Sequence, residues 1–151
     1  MILFCDTSAL VKLYIREDFT NEMLAAAGAA SAIAVCRIAW AEAMAALARR
    51  SRESPLDTGA IDTVRGRLRA DWKDYAIIEV TQSLVELAGD YADTFALRGY
   101  DSVQLAAART LYERCSEQVQ FACFDGRLQK AARVLGLEPV FPLSPPPSAA
   151  G

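Results

Sequence analysis

The stretch that decides the fold is ILFCDTSALVKLYI, residues 2–15. Its first four residues are apolar and end at Asp6, after which Leu10, Val11, Tyr14 and Ile15 recur at helical spacing. This order predicts a short strand followed by a helix. Because a strand that is apolar throughout is typical of a parallel sheet covered on both faces, the stretch favours an α/β fold with Asp6 at the carboxyl end of its first strand.

The same alternation of apolar strand and amphipathic helix continues along the chain. Further strands are predicted at Ala32–Cys36, Ala76–Val80, Val119–Phe124 and, weakly, Pro139–Leu143. Further helices are predicted at Thr20–Ala30, Arg37–Arg52, Asp57–Tyr75, Gln82–Leu97, Asp101–Tyr112 and Asp125–Leu135. We therefore expect one domain over residues 1–143, a three-layer α/β/α sandwich with a short, mainly parallel central sheet, and a disordered Pro/Ser/Ala-rich tail over residues 144–151.

Composition excludes several classes of protein. The 151 residues are 53% hydrophobic and 23% charged with a formal charge of −3, which excludes a disordered chain and gives no basic signature for nucleic acids. There is no histidine, so serine–histidine triads, histidine zinc sites and imidazole-catalysed RNA cleavage are excluded. The four cysteines form no C-x-x-C pair, and the longest uncharged stretch is too short to span a membrane. The opening apolar residues lack the basic charge of a signal peptide and are soon interrupted by Asp6 and Lys12, so we expect a cytoplasmic protein.

Carboxylates are therefore the groups on which any acid–base or metal chemistry depends. Three of them lie at the ends of predicted strands or between predicted helices. Asp6 and Asp125 each follow a predicted strand and precede a helix, where ligand sites gather in open α/β sheets. Asp101 follows Gly99-Tyr100, where one predicted helix ends and the next begins. Each aspartate has the alternative role of a helix cap, and Asp101 with Gln104 resembles a capping box. Two carboxylates about 5 Å apart repel by roughly 3 kcal/mol, so their convergence would raise pKa values or require a cation.

Capping cannot explain Glu42, which lies within a predicted helix on a face of small and apolar residues. A buried carboxylate needs a partner, either an arginine such as Arg49 or a metal ion shared with the aspartates. Oxygen ligands without histidine or paired thiolates favour Mg²⁺ or Mn²⁺ over zinc. Since such an ion can activate water for attack on phosphorus, hydrolysis of phosphodiesters is the leading chemistry.

Four stretches, in order along nearly the whole chain, carry a family resemblance. They are ILFCDTSALVKLY, RIAWAEAMAALARR, RGYDSVQLAAARTL and FACFDGRLQKAARVLGL. The chain resembles PIN-domain ribonucleases, and most closely the VapC-type toxins of bacterial and archaeal toxin–antitoxin pairs. The resemblance implies a PIN-like sandwich and an endoribonuclease in which water cuts RNA and leaves a 5′-phosphate.

The resemblance also assigns roles to individual residues. It implies that Asp6, Glu42, Asp101 and Asp125 form the acidic site for one or two Mg²⁺ or Mn²⁺ ions, with Asp6 and Asp101 as direct ligands and Ser8 as a supporting hydroxyl. It further implies an RNA substrate, a small DNA-binding antitoxin as cognate partner, and a homodimer.

One departure from the family pattern leaves a different function open. Many relatives have Thr or Ser two residues before the last aspartate, whereas this chain has Cys123, whose thiol is a weaker donor and a poor Mg²⁺ partner. The alternative is a non-catalytic PIN-like module that binds RNA or a protein. A phosphatase using Asp6 as nucleophile is disfavoured, because the first strand has no Asp-x-Asp pair.

Arginines and aromatic residues allow two readings each. Two groups of arginines lie on predicted helices: Arg49, Arg50 and Arg52 at the end of one, and Arg65, Arg67 and Arg69 along the next. Each group either contacts phosphates or belongs to a solvent-exposed helix face. Trp40, Trp72, Phe95 and Tyr100 suit either base stacking or, more commonly at helical spacing, a core or dimer contact.

Overall fold

The computed structural model describes residues 1–55 and 58–141. In chain order its elements are β1 (Ile2–Cys5), α1 (Thr7–Lys12), α2 (Thr20–Ala29), β2 (Ala32–Cys36), α3 (Ala39–Glu53), α4 (Thr58–Trp72), β3 (Ala76–Ile78), α5 (Gln82–Phe95), α6 (Gly99–Arg114), β4 (Val119–Ala122), α7 (Gly126–Val134) and β5 (Glu138–Pro139). Within these described ranges, no helix is both long enough and apolar enough to cross a membrane.

The five strands form one sheet in the order β3-β2-β1-β4-β5, and every pair is parallel. Strand β1 lies at the centre, where Cys5 is in register with Val35 of β2 and Ala122 of β4. The carboxyl end of β1 is therefore flanked by the carboxyl ends of its two neighbours. Residues that follow these three strands are brought to the same edge of the sheet.

Side chains of the strands alternate between two cores, one on each face of the sheet. Leu3 and Cys5 of β1 pack against α1 to α4, whereas Phe4 between them packs against α5 to α7. All three are fully buried. Both faces of the short strands are thus covered, which explains why they are apolar throughout and confirms the predicted three-layer α/β/α sandwich.

The ends of several elements differ from the prediction. Strand β3 ends at Ile78 rather than Val80, and β4 ends at Ala122 rather than Phe124. The last strand covers only Glu138–Pro139, and residues 142 and 143 of the predicted strand lie outside the described residues, as do Asp57 and the predicted tail at 144–151.

The turn between α5 and α6 also differs from the prediction, which ended one helix near Gly99. Helix α5 ends at Phe95, because Ala96 adopts the left-handed conformation with φ 52°. An alanine rarely adopts this conformation, and here the Arg127 guanidinium donates a 3.0 Å hydrogen bond to the Ala96 carbonyl oxygen. Gly99 instead begins α6, which places Asp101 inside the first helical turn.

Candidate active site

A cleft of about 560 Å³ opens at the carboxyl edge of the sheet, and all four predicted site carboxylates line it. Asp6 follows β1 and is the N-cap of α1, Glu42 and Asp101 lie in the first turns of α3 and α6, and Asp125 is the N-cap of α7. The cleft is therefore surrounded by four helix N-termini. Their partial positive charges favour carboxylates at these positions.

Asp6 is the most deeply buried of the four, with 6% of its surface exposed. Its Oδ1 accepts two hydrogen bonds, from the Ser8 hydroxyl at 2.8 Å and from the Ala9 backbone N–H at 2.9 Å. Burial, together with the smaller effect of the Asp101 and Glu42 charges, outweighs these two hydrogen bonds and raises the pKa of Asp6 from 3.8 to about 7. Ser8 thus holds the carboxylate in place, as a supporting hydroxyl would.

Glu42 is held by two neutral donors. The Thr7 hydroxyl and the Gln104 side-chain amide each donate a 2.9 Å hydrogen bond to its Oε1. Among the described residues it forms no ion pair, so the arginine partner considered from the sequence, such as Arg49, is not found. The helix also begins at Ala39, later than predicted, which puts Glu42 in its first turn.

Gln104 and Thr7 are hydrogen-bonded neighbours of Glu42 that the sequence did not indicate. Gln104 is 2% exposed, its amide also donates to the Thr7 hydroxyl at 3.2 Å, and its own Oε1 is buried without a hydrogen bond from the described residues. The alternative of a capping box between Asp101 and Gln104 is not found, because Arg98 occupies the N-cap of α6 and the Gln104 amide donates to Glu42 instead. The sequence places Gln104 one turn after Asp101 on the same helix face, but gives no indication that its amide contacts Glu42.

Asp101 and Asp125 complete the acidic wall. Burial raises the pKa of Asp101, and the charges of Asp125 and Glu42 add to that effect while Arg98 opposes it. Asp125 is exposed, and its Oδ1 accepts a 2.8 Å hydrogen bond from the Leu128 N–H. For Asp125, as for Asp6, the capping role and a place in the cleft are compatible.

The disposition of the carboxylate oxygens bears on what the cleft can hold. In Asp6, Glu42 and Asp125 the hydrogen bonds go to a single oxygen, and the other accepts none from the described residues. No lysine or arginine within the described ranges forms an ion pair with any of the four acids. Hard oxygen donors of net negative charge fit a divalent cation such as Mg²⁺.

The same residues do not form a complete protein cage. Over residues 1–55 and 58–141, no three acidic or thiol side chains lie close enough together to ligate one ion. Mg²⁺ is commonly held by one or two carboxylates and keeps several waters, whereas a structural zinc site needs four protein ligands. The donor set therefore fits a hydrated hard cation.

Cys123 is buried beside the cleft, and the aromatic residues differ in their relation to it. Cys123 is 1% exposed, and its Sγ lies 4.0 Å from the Asp125 carbonyl oxygen. Trp40 packs edge-on against Trp72 with 5.1 Å between ring centroids, which places both in a structural cluster. Phe124, which the sequence reasoning did not single out, lines the acidic cleft.

The family model of the PIN domain matches residues 3–134. Ribonuclease VapC45 and Ribonuclease VapC49, from two strains of Mycobacterium tuberculosis, are each 31% identical over 140 residues, which cover 89% of this chain and 92% of the relative.

Two solved structures resemble the whole fold. A toxin–antitoxin complex from Klebsiella pneumoniae superposes with a TM-score of 0.65 at 19% identity, covering 95% of this chain and 100% of the other. VapBC2 from Rickettsia felis, bound to a DNA fragment from its promoter, gives 0.57 at 15% identity, covering 91% and 96%. At such identities the likeness shows the fold.

Proposed function

The chain belongs to the PIN-domain family, in its VapC-type branch, and on this premise we propose that it is a Mg²⁺- or Mn²⁺-dependent endoribonuclease acting as the toxin of a toxin–antitoxin pair. The two Mycobacterium tuberculosis relatives are named ribonucleases, and this chain matches 92% of their length at 31% identity. The proposed reaction is hydrolysis of RNA phosphodiester bonds by water.

The observation that carries this proposal is the acidic cleft itself. Four carboxylates from elements far apart in the chain line one opening, and no described cation neutralises them through an ion pair. Buried like charges cost free energy that a structural role does not repay, and perturbed carboxylates in a cleft are typical of functional sites.

In the proposed site, Asp6 and Asp101 ligate the ion directly, and Glu42 and Asp125 complete the acidic set. When bound, the divalent ion lowers the pKa of a water molecule and stabilises charge on the phosphoryl oxygens. The oxygens that accept no hydrogen bond from the described residues are the ones available for this purpose.

The chain's own residues orient these acids. Ser8 and the Ala9 N–H fix one oxygen of Asp6, and Thr7 and Gln104 fix one oxygen of Glu42. Because each carboxylate is anchored on one side, its other oxygen is kept in a defined direction. Such pre-organisation reduces the reorganisation needed during the reaction.

Partners and compartment form part of the same proposal. Both solved neighbours are toxin–antitoxin or VapBC assemblies, which supports a small antitoxin as the cognate partner of this chain. We also propose RNA as substrate, a homodimer as the assembly and the cytoplasm as the compartment. Co-purification with the product of an adjacent small open reading frame tests the antitoxin partner.

The catalytic proposal is tested by RNA cleavage with the purified chain, with Mg²⁺ or Mn²⁺ titrated in. Cleavage should require the ion, leave 5′-phosphate ends, and be lost in Asp6→Asn and Asp101→Asn. Asp90→Asn, an exposed aspartate of α5 outside the cleft, is the matched control and should cleave normally.

Two results would contradict this assignment. Equal cleavage by the unmodified chain and Asp6→Asn would show that the nuclease activity does not come from the acidic cleft. RNA binding without cleavage, together with no divalent-ion binding by calorimetry, would favour the alternative of a non-catalytic module.

A further inference from the structure

The acidic cleft continues into two neighbouring clefts. One, of about 350 Å³, shares Arg98, Asp101 and Asp125 with it and adds Arg127. The other, of about 310 Å³, shares the wall around Arg49 and adds Arg50. Because the two side clefts have no lining residue in common, they leave the acidic cleft at different places.

Sheet order explains why the two side clefts lie on different sides of the acids. Arg127 belongs to α7, which follows β4, and Arg49 and Arg50 belong to α3, which follows β2. These two strands flank β1, whose carboxyl end holds Asp6. One arginine pair therefore lies on each side of the central carboxylate.

All four arginines are exposed and free of ion pairs within the described part of the chain, although carboxylates line the same clefts. Arg127 is positioned by its hydrogen bond to the Ala96 carbonyl oxygen, which uses one of its donors. An unpaired guanidinium has a planar fork of donors suited to phosphate. By contrast, Arg65 is paired with Asp62, and the Arg67 guanidinium lies over the Tyr14 ring.

We propose that Arg98 with Arg127 and Arg49 with Arg50 are two phosphate-positioning pairs that hold a single RNA strand on either side of the acidic centre. This inference rests on the proposed function. An RNA strand is a polyanion and must cross a cleft lined by carboxylates, which repel its phosphates. The two arginine pairs would offset this repulsion. With phosphates held at both ends, the intervening phosphodiester bond is placed over the acids. The arginines are positioning residues, since they act through the strand and take no part in proton transfer.

The test measures binding of a fluorescent single-stranded RNA by anisotropy over a range of salt concentrations, with Mg²⁺ present and integrity of the RNA checked by gel electrophoresis. The slope of log K against log salt is negative, and each lost phosphate contact reduces its magnitude by about 0.7, so each double variant should reduce it by about 1.4. The variants are Arg98→Ala/Arg127→Ala and Arg49→Ala/Arg50→Ala. Arg127→Lys, which retains the charge, should keep most of the slope.

Two matched controls lie on the same helices. Arg52 of α3 and Arg133 of α7 are exposed but line none of the three clefts, so Arg52→Ala and Arg133→Ala should leave the slope unchanged. In cleavage assays the two double variants should raise KM and leave kcat within a few-fold of the unmodified chain.

Sidedness is tested with RNAs that carry uncharged methylphosphonate linkages in only the 5′ half or only the 3′ half. One double variant should lose affinity for only one of the two chimeras, and the other double variant for the other. The two-pair proposal is overturned if the double variants have the same salt slope as the controls, or if each loses affinity equally for both chimeras. RNA cleavage by the unmodified chain would still support the proposed function in that case. If the unmodified chain neither binds nor cuts RNA, both proposals fall.

Discussion

Replacing Asp6 by asparagine should make the metal-free protein more stable at neutral and alkaline pH. The amide oxygen of Asp6→Asn can still accept the hydrogen bonds from the Ser8 hydroxyl and the Ala9 N–H, so the cap of α1 is retained. What is lost is a buried negative charge close to Asp101 and Glu42. The substitution therefore separates the electrostatic cost of the site from its hydrogen bonding.

The magnitude follows from the raised pKa of Asp6, which is about 7 in the fold against 3.8 ordinarily. Between these values the folded state binds more protons than the unfolded state, so the free energy of unfolding falls as pH rises through this window. At 1.36 kcal/mol per pKa unit the total is on the order of 4 kcal/mol, reached above pH 7. For a domain of this size that corresponds to a Tm difference of roughly 8–16 °C.

The assay is thermal or chemical unfolding in EDTA from pH 4 to pH 8, repeated with saturating Mg²⁺. The unmodified chain should lose stability across this range and regain about 2.7 kcal/mol at pH 8 when the ion is a hundredfold above its Kd. Asp6→Asn should show a much flatter profile and little response to Mg²⁺, while Asp90→Asn should behave like the unmodified chain. Parallel profiles of the unmodified chain and Asp6→Asn, or equal stabilisation of both by Mg²⁺, would refute the reasoning.

Four further substitutions, at three positions, test other features of the site and of the core. Asp125→Ala should lower the free energy of unfolding by about 1 kcal/mol through loss of the α7 cap, whereas Asp125→Asn should not, and both should lose RNA cleavage. Thr7→Val removes a donor to the Glu42 carboxylate and should cost about 1.5–3 kcal/mol in urea unfolding. Leu105→Ala, on the buried face of α6, should lower the free energy of unfolding by about 2–5 kcal/mol, while the folded fraction still binds Mg²⁺ in calorimetry.

The fold was predictable because its pattern is local. Strands such as β1 are apolar throughout and end at a polar turn, so their buried position and the place of Asp6 can be derived from a few neighbouring residues. The partners of Glu42 could not be found in this way. Thr7 is 35 residues from Glu42 and Gln104 is 62 residues from it, and neither has a charge that would suggest the pairing.

The grouping of the arginines also depends on contacts between residues that are far apart in the chain. Sequence alone groups Arg49, Arg50 and Arg52 by adjacency, yet the clefts separate Arg52 from the other two. Arg98 and Arg127 are 29 residues apart in the chain and line the same cleft because α6 and α7 begin at the same edge of the sheet. Adjacency in the chain predicts charge clusters on a helix, whereas shared clefts depend on the order of strands in the sheet.

The four helix N-termini around the cleft are not sufficient to stabilise four ionised carboxylates. Each N-terminus contributes about 0.3–1 kcal/mol, and at Asp6 this contribution and two hydrogen bonds do not offset burial, because the pKa is still raised to about 7. Without a bound cation, burial and, to a smaller extent, the charges of Asp101 and Glu42 raise the pKa of Asp6 to about 7, so this carboxyl is partly protonated near neutral pH. A bound divalent ion would replace that proton, and ion binding by this site should therefore be tighter at higher pH.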